Sequence, residues 1–268
     1  MIKKNWELYL VGFIEADGHI YVPKNCRSLK GQKLYPSIQI SSHSKDFPLL
    51  TKILEKFQKG SIHKKIKKRA YVLNFTSKND ILELINILNG SMRTSKIQDL
   101  HKLIDWFNEN HSTFFDKKPI DNSNFLTNPW LSGFIDGDGC FYLRCSEKTK
   151  YPQRFECKFE ISQSIKQDYS FMFELSKCLV SNLKEVKKKD QLRVRTSSIN
   201  QNLILIDYLK EYPLYSSKFL DFLDWEKGFN IILNKEHKTD KGKESIIKLK
   251  KGMNSSRKVF FWNHLQFF

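Results

Sequence analysis

A nine-residue stretch occurs twice in the chain, and each copy contains an aspartate that could bind a metal ion. The first copy, residues 10–18, reads LVGFIEADG, and the second, residues 131–139, reads LSGFIDGDG. The two copies align without insertions or deletions and lie about 120 residues apart, which indicates that one structural unit occurs twice. If the two stretches are helices packed side by side, Asp17 and Asp138 meet at two negative helix ends and repel each other. A divalent cation relieves that repulsion, and Mg²⁺ suits carboxylate, water and phosphate oxygens.

Both copies have the residue spacing of closely packed helices. In residues 6–17, apolar side chains recur at intervals of three and four, which predicts a helix. Gly12 and Gly133 occupy the same position of the two copies, and each is followed four residues later by Ala16 or Gly137. Small residues four apart share one helix face and let a second backbone come close. The sequence therefore predicts a two-helix interface at Gly12 and Gly133, around an internal pseudo-twofold axis.

Alternating apolar and polar residues follow each of these helices and predict antiparallel strands. The clearest alternation runs through residues 155–163, where Phe155, Phe159 and Ile161 lie between charged side chains. Each half reads as a helix, two strands, a helix, two strands and final helices. The predicted fold class is α+β, with two pseudo-symmetric αββαββα halves that each carry a curved antiparallel sheet and join at the two-helix interface.

The boundaries of the predicted domains and elements follow the same periodicities. The first half is predicted at residues 1–108, a linker at 109–128, the second half at 129–234 and a basic C-terminal extension of unassigned structure at 235–268. The first half is predicted to contain helices at 6–17, 46–58, 79–88 and 95–108 and strands at 19–27, 34–42, 62–69 and 71–76. The second is predicted to contain helices at 129–138, 169–183, 199–209 and 217–233, strands at 140–148 and 155–163, and a hairpin at 187–196.

The chain is strongly basic, which indicates the kind of partner it binds. Its 46 lysine and arginine residues against 29 acidic residues give a net charge of +17. An aromatic-rich, foldable sequence with that excess predicts a polyanion as partner, nucleic acid in particular. The alternative is a charge that serves solubility alone, which would not require so large an excess.

The composition also argues against several classes of protein. No run of about 18 apolar residues is present and the N-terminus lacks the apolar core of a signal peptide, so neither a membrane span nor secretion is predicted. Five cysteines without a Cys-x-x-Cys pair support neither a disulfide framework nor a zinc site. Heavy use of Lys, Asn, Ile and Phe is typical of an AT-rich genome, which favours an organelle, mitochondrial first and chloroplast as the alternative.

The repeated stretch resembles the LAGLIDADG motif, and the element order resembles the single-chain, two-motif LAGLIDADG homing endonucleases over nearly the whole chain. The resemblance implies a monomeric, site-specific, Mg²⁺-dependent endonuclease, with Mn²⁺ as a substitute. Such an enzyme makes a double-strand break in DNA across the minor groove and leaves short 3′ overhangs. The resemblance also implies that Asp17 and Asp138 bind the metal ions, assisted by the carbonyl groups of Ala16 and Gly137.

The resemblance assigns further residues around the metal ligands. Lys96 and Lys218 each open a helix, and they match lysines that lie close to the scissile phosphate. They are expected to stabilise transition-state charge; a solvated surface lysine is the alternative. Gln163 matches a position that orders water near the metal ions, whereas the first half has Ser42 there. This departure predicts two unequal active sites.

The earlier acidic residue of each copy is expected to have a structural role. Glu15 and Asp136 lie about 200° around the helix from the last acid, which favours a hydrogen bond within the protein over metal binding. His43, next to Ser42, is the candidate to replace the glutamine that the first half lacks, with an ordinary surface histidine as the alternative.

Side chains on the outward faces of the strands are the predicted readers of double-stranded DNA. Arg pairs with guanine, Asn and Gln with adenine, and Glu with cytosine in the major groove. In the first half these residues are His19, Tyr21, Asn25, Arg27, Tyr35, Ser37, Gln39, Val72 and Asn74. In the second half they are Tyr142, Arg144, Ser146, Lys148, Arg154, Glu156, Lys158, Glu160, Gln191, Arg193 and Arg195.

Lysine clusters next to these strands are expected to neutralise phosphates instead of reading bases. They comprise Lys64, Lys65, Lys67 and Lys68 in the first half and Lys187, Lys188 and Lys189 in the second. Two strand faces that each span about 30 Å would cover roughly 18–20 base pairs. Because the two faces differ in sequence, the target is expected to be asymmetric. A solvated sheet face without a partner is the alternative.

Two other functions remain open at this point. Some relatives of the family are maturases, which bind their host intron RNA and assist splicing, and the intact carboxylates and lysines favour a nuclease without excluding both roles. A DNA-binding regulator with an inactive site would lack one of the acids, and neither Asp17 nor Asp138 is missing.

Overall fold

The computed structural model describes residues 4–25, 27–111, 113–147, 153–166 and 168–268. The chain divides into two compact units, one of residues 1–137 together with Phe268 and the other of residues 138–267. The predicted α+β class is confirmed, and the two halves of the chain repeat one order of helices and strands. Within the described part of the chain, none of the helices has the length and apolar character needed to cross a membrane.

The first unit contains one four-stranded sheet and the helices that cover it. Its strands are β1 (Gly18–Tyr21), β2 (Ser37–His43), β3 (Ser61–Lys64) and β4 (Ala70–Phe75). Its helices are α1 (Asn5–Asp17), α2 (Phe47–Phe57), α3 (Lys78–Leu88), α4 (Ile97–Asn110) and α5 (Trp130–Asp138), of which the last residue, Asp138, is counted with the second unit.

The first sheet has the order β1-β2-β4-β3, and all neighbouring strands are antiparallel. Ile38 and Ile40 of β2 and Leu73 of β4 are fully buried, so they mark the face that packs on the helices. The residues between them, including Gln39 and Asn74, lie on the opposite face. The alternation in the sequence therefore assigns the two faces of this sheet correctly.

The motif helices α1 and α5 contact each other directly through their glycines. A Cβ atom on Gly12 would overlap the carbonyl oxygen of Trp130, and one on Gly133 would overlap the carbonyl oxygen of Tyr9. The same Cβ atoms would lie 2.9 Å from the backbone nitrogens of Phe134 and Phe13, respectively. Only glycine allows this approach, because any side chain would push the two backbones apart.

The strand predicted after α1 is much shorter than expected. It ends at Tyr21 instead of residue 27, because Pro23 lies two residues further on and has no N–H group to donate to a strand partner. Asn25 lies in the loop beyond the strand, and Arg27 makes only an isolated bridge to Lys33. Strand β2 begins at Ser37, so Tyr35 also precedes the strand to which it was assigned.

The stretch between α4 and α5 is tied to the first unit. Helix α4 continues to Asn110, two residues beyond the predicted end of the first half. Arg93, whose side chain is 1% exposed, forms an ion pair of 2.8 Å with Asp121 and donates a hydrogen bond to the carbonyl group of Ser123. Its guanidinium group also lies over the ring of Phe125. These contacts fix part of the predicted linker against the segment that precedes α4.

The second unit repeats this plan after α5. Its strands are β5 (Gly139–Cys145), β6 (Phe155–Ser164), β7 (Leu183–Val186) and β8 (Gln191–Thr196), in the order β5-β6-β8-β7 and antiparallel throughout. Its helices are α6 (Tyr169–Cys178), α7 (Ile199–Glu211), α8 (Lys218–Leu233) and α9 (Asp240–Lys251).

Two boundaries in the second half differ from prediction. Helix α6 ends at Cys178 instead of residue 183, because Val180 adopts a left-handed φ of 50° that stops the helix and Leu183 pairs within the sheet. Strand β5 ends at Cys145 instead of residue 148. Lys148, a predicted DNA contact, lies outside the described residues.

The unassigned C-terminal extension forms helix α9 and a series of short turns. Thr239 caps the start of α9 by accepting a hydrogen bond from the backbone N–H of Gly242, at 3.1 Å. Ile246 is fully buried and anchors the helix to the second unit. The extension is therefore part of the folded structure.

Candidate active site and nucleic-acid interface

Each motif helix ends in an aspartate that is followed directly by a strand. Asp17 is the last residue of α1 and Asp138 the last of α5, and both are half-buried. A Cβ atom on Gly137 would overlap the side chain of Ala16 and would lie 3.4 Å from the carboxylate carbon of Asp17. The close contact with Ala16 therefore leaves no room for a side chain at position 137, and it brings this backbone near the Asp17 carboxylate.

The oxygen donors at these helix ends suit a hard divalent cation. The described residues contain no group of three or more His, Cys, Asp or Glu side chains arranged to hold a metal ion. A site built from Asp17 and the carbonyl group of Gly137 would therefore depend on water and phosphate oxygens for its remaining ligands. Mg²⁺ binds in this way, because it usually keeps several waters and takes only one or two carboxylates.

Lys96 lies at the C-terminal end of α1, although it precedes α4 in the chain. Its ammonium group donates hydrogen bonds to the carbonyl oxygens of Gly18 at 2.7 Å and Ile14 at 3.0 Å, and that of Ala16 is 3.5 Å away. The last carbonyl groups of a helix lack partners within the helix and carry partial negative charge. Lys96 therefore supplies a positive charge next to Asp17 and stabilises the end of the motif helix.

The turn before Lys218 repeats the turn before Lys96. The backbone N–H of Lys218 donates to the hydroxyl group of Ser216 at 3.0 Å, and that of Lys96 donates to the hydroxyl group of Thr94 at 3.3 Å. Lys218 is the first residue of α8, the helix that corresponds to α4. The two lysines therefore occupy equivalent positions in the two halves.

Glu15 connects the first motif helix to the segment that carries Lys96. Its buried carboxylate accepts hydrogen bonds from the backbone N–H groups of Arg93 and Thr94, from the Thr94 hydroxyl group and from the indole of Trp130, at 2.7–2.9 Å. Burial raises the pKa of Glu15 to about 7, and these hydrogen bonds act in the opposite direction. The predicted structural role of Glu15 is confirmed by these contacts.

Asp136 has a structural contact of the same kind. Its carboxylate accepts a hydrogen bond of 2.6 Å from the hydroxyl group of Tyr9 on α1. Both earlier acidic residues of the motif thus contribute to packing within the first unit.

Gln163 lies beside Asp138, whereas the first half has a serine at the corresponding position. The side-chain amide of Gln163 donates a hydrogen bond of 2.7 Å to the Asp138 carboxylate. Ser42 is the residue of β2 that corresponds to Gln163 of β6. His43 is exposed, and its ring nitrogen accepts a hydrogen bond from the backbone of Lys45 at 3.2 Å, so the turn before α2 engages it.

The outward face of the first sheet carries uncharged polar side chains. His19 pairs with Gln39 across β1 and β2, and Gln39 pairs with Asn74 across β2 and β4. The side-chain oxygen of Asn74 is buried and has no hydrogen-bond partner within the described residues. A buried acceptor without a partner is costly, so this face has an unmet requirement for a hydrogen-bond donor.

Two predicted readers of this sheet offer little surface. Ser37 and Val72 lie on the outward face, but they are only 7% and 9% exposed. Tyr21 is well exposed on the same face. This burial disfavours a direct base contact by Ser37 and Val72, which were predicted as readers.

The predicted phosphate-binding lysines lie at exposed hairpin ends. Residues 63–69 are exposed, and Lys67 adopts a left-handed φ of 65° in the turn between β3 and β4. Lys65 donates a hydrogen bond of 3.1 Å to the hydroxyl group of Ser41 on the outward sheet face. In the second half, Lys188 lies in the short 3₁₀ turn between β7 and β8.

The outward face of the second sheet carries paired charges. The Glu160 carboxylate, 11% exposed, binds the Nε of Arg193 at 2.8 Å and two nitrogens of Arg195 at 2.8 and 2.5 Å. Glu156 pairs with Lys158 at 2.7 Å and with Arg144 at 3.4 Å. The hydrogen bond from Lys158 lowers the pKa of Glu156. These glutamates are thus already bound to neighbouring cations, which competes with the predicted contact to cytosine.

The remaining predicted readers of the second half surround this cluster. Tyr142 is exposed on β5, and a hydrogen bond with Cys140 contributes most to raising the pKa of Tyr142 to about 12. Ser146 and Arg154 lie beyond the strand ends, where the Ser146 hydroxyl group accepts a hydrogen bond from the Arg154 backbone at 2.8 Å. Gln191 is the first residue of β8.

A cavity of about 440 Å³ opens on this face of the second sheet. Its wall includes Lys250 of α9, a residue that sequence reasoning did not select. The signal available in the sequence was a lysine-rich helical stretch after residue 239, but only the fold brings it to the sheet.

The repeated motif helices and the two four-stranded antiparallel sheets define a single-chain α+β protein with two equivalent halves. The model of the family described as "LAGLIDADG endonuclease" matches residues 10–107 and 131–229. The chain therefore belongs to the LAGLIDADG endonuclease family.

Individual relatives and solved structures agree with this assignment. The chain is 28% identical to intron-encoded DNA endonuclease aI3 of Saccharomyces cerevisiae over 96% of this chain and 72% of the relative. It is 26% identical to probable intron-encoded endonuclease 4 of Neurospora crassa, over 96% of this chain and 46% of that protein. The fold resembles the I-LtrWI LAGLIDADG homing endonuclease bound to target DNA, with a TM-score of 0.76 and 21% identity over 94% of this chain and 98% of that one.

Proposed function

We propose that this protein is a site-specific DNA endonuclease that depends on a divalent metal ion and cuts both strands of a long, asymmetric target. The single observation that carries the proposal is the pair of motif helices that end at Asp17 and Asp138 in a chain of net charge +17. A carboxylate at a helix C-terminus is electrostatically unfavourable, so its presence in both halves favours a cation-binding role.

Asp17, Asp138 and the carbonyl groups of Ala16 and Gly137 would hold Mg²⁺, with Mn²⁺ as a substitute. A bound metal ion supplies Lewis-acid stabilisation of a phosphodiester oxygen and lowers the pKa of a bound water. The packing of Gly137 against Ala16, with the Asp17 carboxylate beside it, supports this ligand set.

The lysines and Gln163 act on groups around these ligands. Lys96, held at the end of α1 by the Ile14 and Gly18 carbonyl groups, is placed to stabilise negative charge that develops on the scissile phosphate, and Lys218 has the equivalent role in the second half. Gln163 orients the Asp138 carboxylate through its hydrogen bond.

The two sheets would read base edges while the lysine-rich hairpin ends bind phosphates. The unmatched acceptor of Asn74 and the arginines of β8 are suited to hydrogen bonds with adenine and guanine, respectively. Because the two faces carry different side chains, the target would be asymmetric, with roughly 18–20 base pairs.

We also propose that the protein acts in an organelle, as a mitochondrial intron product. The relatives aI3 and endonuclease 4 are named as intron-encoded. The lysine-rich, alanine-poor composition of the chain is typical of an AT-rich genome.

The test begins with selection of cleavable sites from a randomised DNA library in the presence of Mg²⁺. Asp17→Asn and Asp138→Asn should bind the selected site yet lose double-strand cleavage by about a thousandfold or more, and chelation of Mg²⁺ should abolish cleavage by the unmodified protein. Asp190→Asn is the matched control, because Asn tolerates the left-handed φ of 48° at this turn. Normal cleavage of both strands by either motif variant would disprove the ligand assignment.

The selected duplex also distinguishes the nuclease from a maturase and from a DNA-binding regulator. Gel shifts should show tighter binding to the selected duplex than to intron RNA. A preference for RNA without DNA cleavage would indicate a maturase, and sequence-specific DNA binding without cleavage at any metal concentration would indicate a regulator.

A further inference from the structure

We propose that α9 extends the DNA-binding surface of the second half and that Lys250 contacts the phosphodiester backbone beside the second sheet. The inference builds on the proposed nuclease function and adds a contact surface contributed by the C-terminal extension.

Asn254 anchors the extension to an edge of the second sheet. Strand β5 is the first strand of that sheet, so one side of it has no neighbouring strand among the described residues. The side-chain amide of Asn254 donates a hydrogen bond of 3.0 Å to the carbonyl oxygen of Phe141 on β5. An edge strand presents backbone groups that need partners, and this hydrogen bond supplies one of them.

A buried ion-pair cluster fixes the same segment to α8. Arg257 binds Asp221 at 2.9 Å and Asp224 at 2.7 Å, and the side chain of Asp221 is only 3% exposed. Asp221 also accepts a hydrogen bond of 2.9 Å from the backbone N–H of Asn254. Separating these groups would leave a buried charge without its partner, which is strongly unfavourable, so the end of α9 has a defined place.

Helix α9 is rich in cations, and one of them lies at the sheet. The helix contains five lysines against two acidic residues. Lys243 forms an ion pair with Asp240 at 2.8 Å. Lys250 is exposed and makes no ion pair within the described residues, and it lines the cavity together with Arg144 and Arg193 of the sheet.

Among the described residues, the charges around this cavity leave no acidic partner for Lys250. The Glu160 carboxylate is bound to two arginines, and the Glu156 carboxylate is bound to Lys158 and Arg144. Lys250 is thus an additional positive charge at this cavity, and a polyanion that approaches the sheet would stabilise it. The charge arrangement is therefore complementary to DNA and continuous with the predicted reading face.

The chemistry of lysine indicates the backbone of DNA as the group it contacts. An ammonium group on a flexible stem binds phosphate as a point charge, whereas bidentate base recognition favours arginine. Lys250 belongs to a helix beside the sheet, while the predicted base readers belong to the strands. The expected role is a contact that strengthens binding without selecting bases.

The experiment compares Lys250→Ala with Lys243→Ala in the full chain, using the selected cleavage site and an unrelated duplex at several salt concentrations. Lys250→Ala should weaken binding to both duplexes about fivefold at 0.15 M salt and reduce the slope of log affinity against log salt by about 1. Lys243→Ala should leave both quantities unchanged, and Lys250→Arg should retain most of the affinity. Both lysines are at the surface, so thermal unfolding should confirm that neither variant has lost its fold.

Several results would overturn the inference. They are an unchanged salt slope in Lys250→Ala, an equal loss in Lys243→Ala, or a loss restricted to the selected duplex. If the unmodified protein binds and cuts its site, and Lys250→Ala has the same affinity and salt slope, only the role of Lys250 is disproved. If the unmodified protein selects no DNA at all, the proposed nuclease function fails first.

Discussion

The two sheets share one strand order and one pairing pattern, yet their outward faces carry different chemistry. The first face presents His19, Gln39 and Asn74, and the buried side-chain oxygen of Asn74 lacks a partner within the described residues. The second face presents Glu160 bound to Arg193 and Arg195. The backbone fixes only which residues share a face, so recognition can change without a change of fold.

This difference predicts two modes of recognition. The Asn74 side-chain oxygen has no hydrogen-bond donor within the described residues, and under the proposed function a base edge would supply one. The arginines of the second face are already oriented by the Glu160 carboxylate, which contacts the Nε atoms of both Arg193 and Arg195. Such preorganisation reduces the entropy lost when an arginine binds guanine.

The outward faces of the two sheets differ, whereas the two motif helices make matching contacts. Gly12 and Gly133 face each other's helix with the same geometry. The two halves differ at the strand position of Gln163. In the second half Gln163 binds Asp138, and in the first half Ser42 occupies the corresponding position. The following predictions test where the halves are equivalent and where they differ.

The largest effect is expected at the matched glycines. Gly12→Ala and Gly133→Ala should each lower the free energy of unfolding by about 3 kcal/mol, since the added methyl group would overlap a backbone carbonyl group that cannot rotate away. Denaturant titration measures this quantity. Gly252→Ala is the control, because its Cβ would meet nothing closer than 3.4 Å. Clearly unequal losses for Gly12 and Gly133 would contradict the equivalence of the two helices.

A smaller effect, on the rate of cleavage, is expected at Gln163. Gln163→Ala removes the hydrogen bond to Asp138 and should slow cleavage of one DNA strand about 10–100-fold, so that nicked product accumulates. A duplex labelled separately on each strand gives the two rates. Ser42→Ala, the matched change in the first half, should alter the rates little. Equal slowing of both strands by Gln163→Ala would contradict the prediction of unequal sites.

The most local effect is expected in sequence selectivity, at single positions of the target. A bidentate contact gives about 1–3 kcal/mol of discrimination, so Asn74→Ala should relax the site at one position by that amount. Glu160→Gln keeps both arginines but weakens the contacts that orient them. It should therefore reduce the discrimination only in part, at the two target positions that Arg193 and Arg195 read. Site selection with each variant measures both effects, with Glu156→Gln as the control for removing a carboxylate from the same face. If Glu160→Gln and Glu156→Gln gave the same base preferences in site selection, the proposed role of Glu160 in orienting the arginines would be wrong.

The sequence by itself determined the architecture. The repeated motif predicted two halves, and periodicities of about 3.6 and 2 residues placed the main helices and the sheet faces, because these patterns depend on neighbours within one element. Its errors lay at element ends. Pro23 cut the first strand short, and the left-handed residue Val180 ended α6 early.

The tertiary structure alone decided which distant residues meet. Lys96 bonds to the end of a helix about 80 residues away, and Glu15 holds the segment that carries Lys96. Glu160 was expected to be available to cytosine and is bound to two arginines instead, and Lys250 reaches the second sheet only because Arg257 and its partners fix the extension. Such contacts leave no periodic pattern in the sequence, because they join residues whose separation along the chain follows no rule of helix or strand geometry.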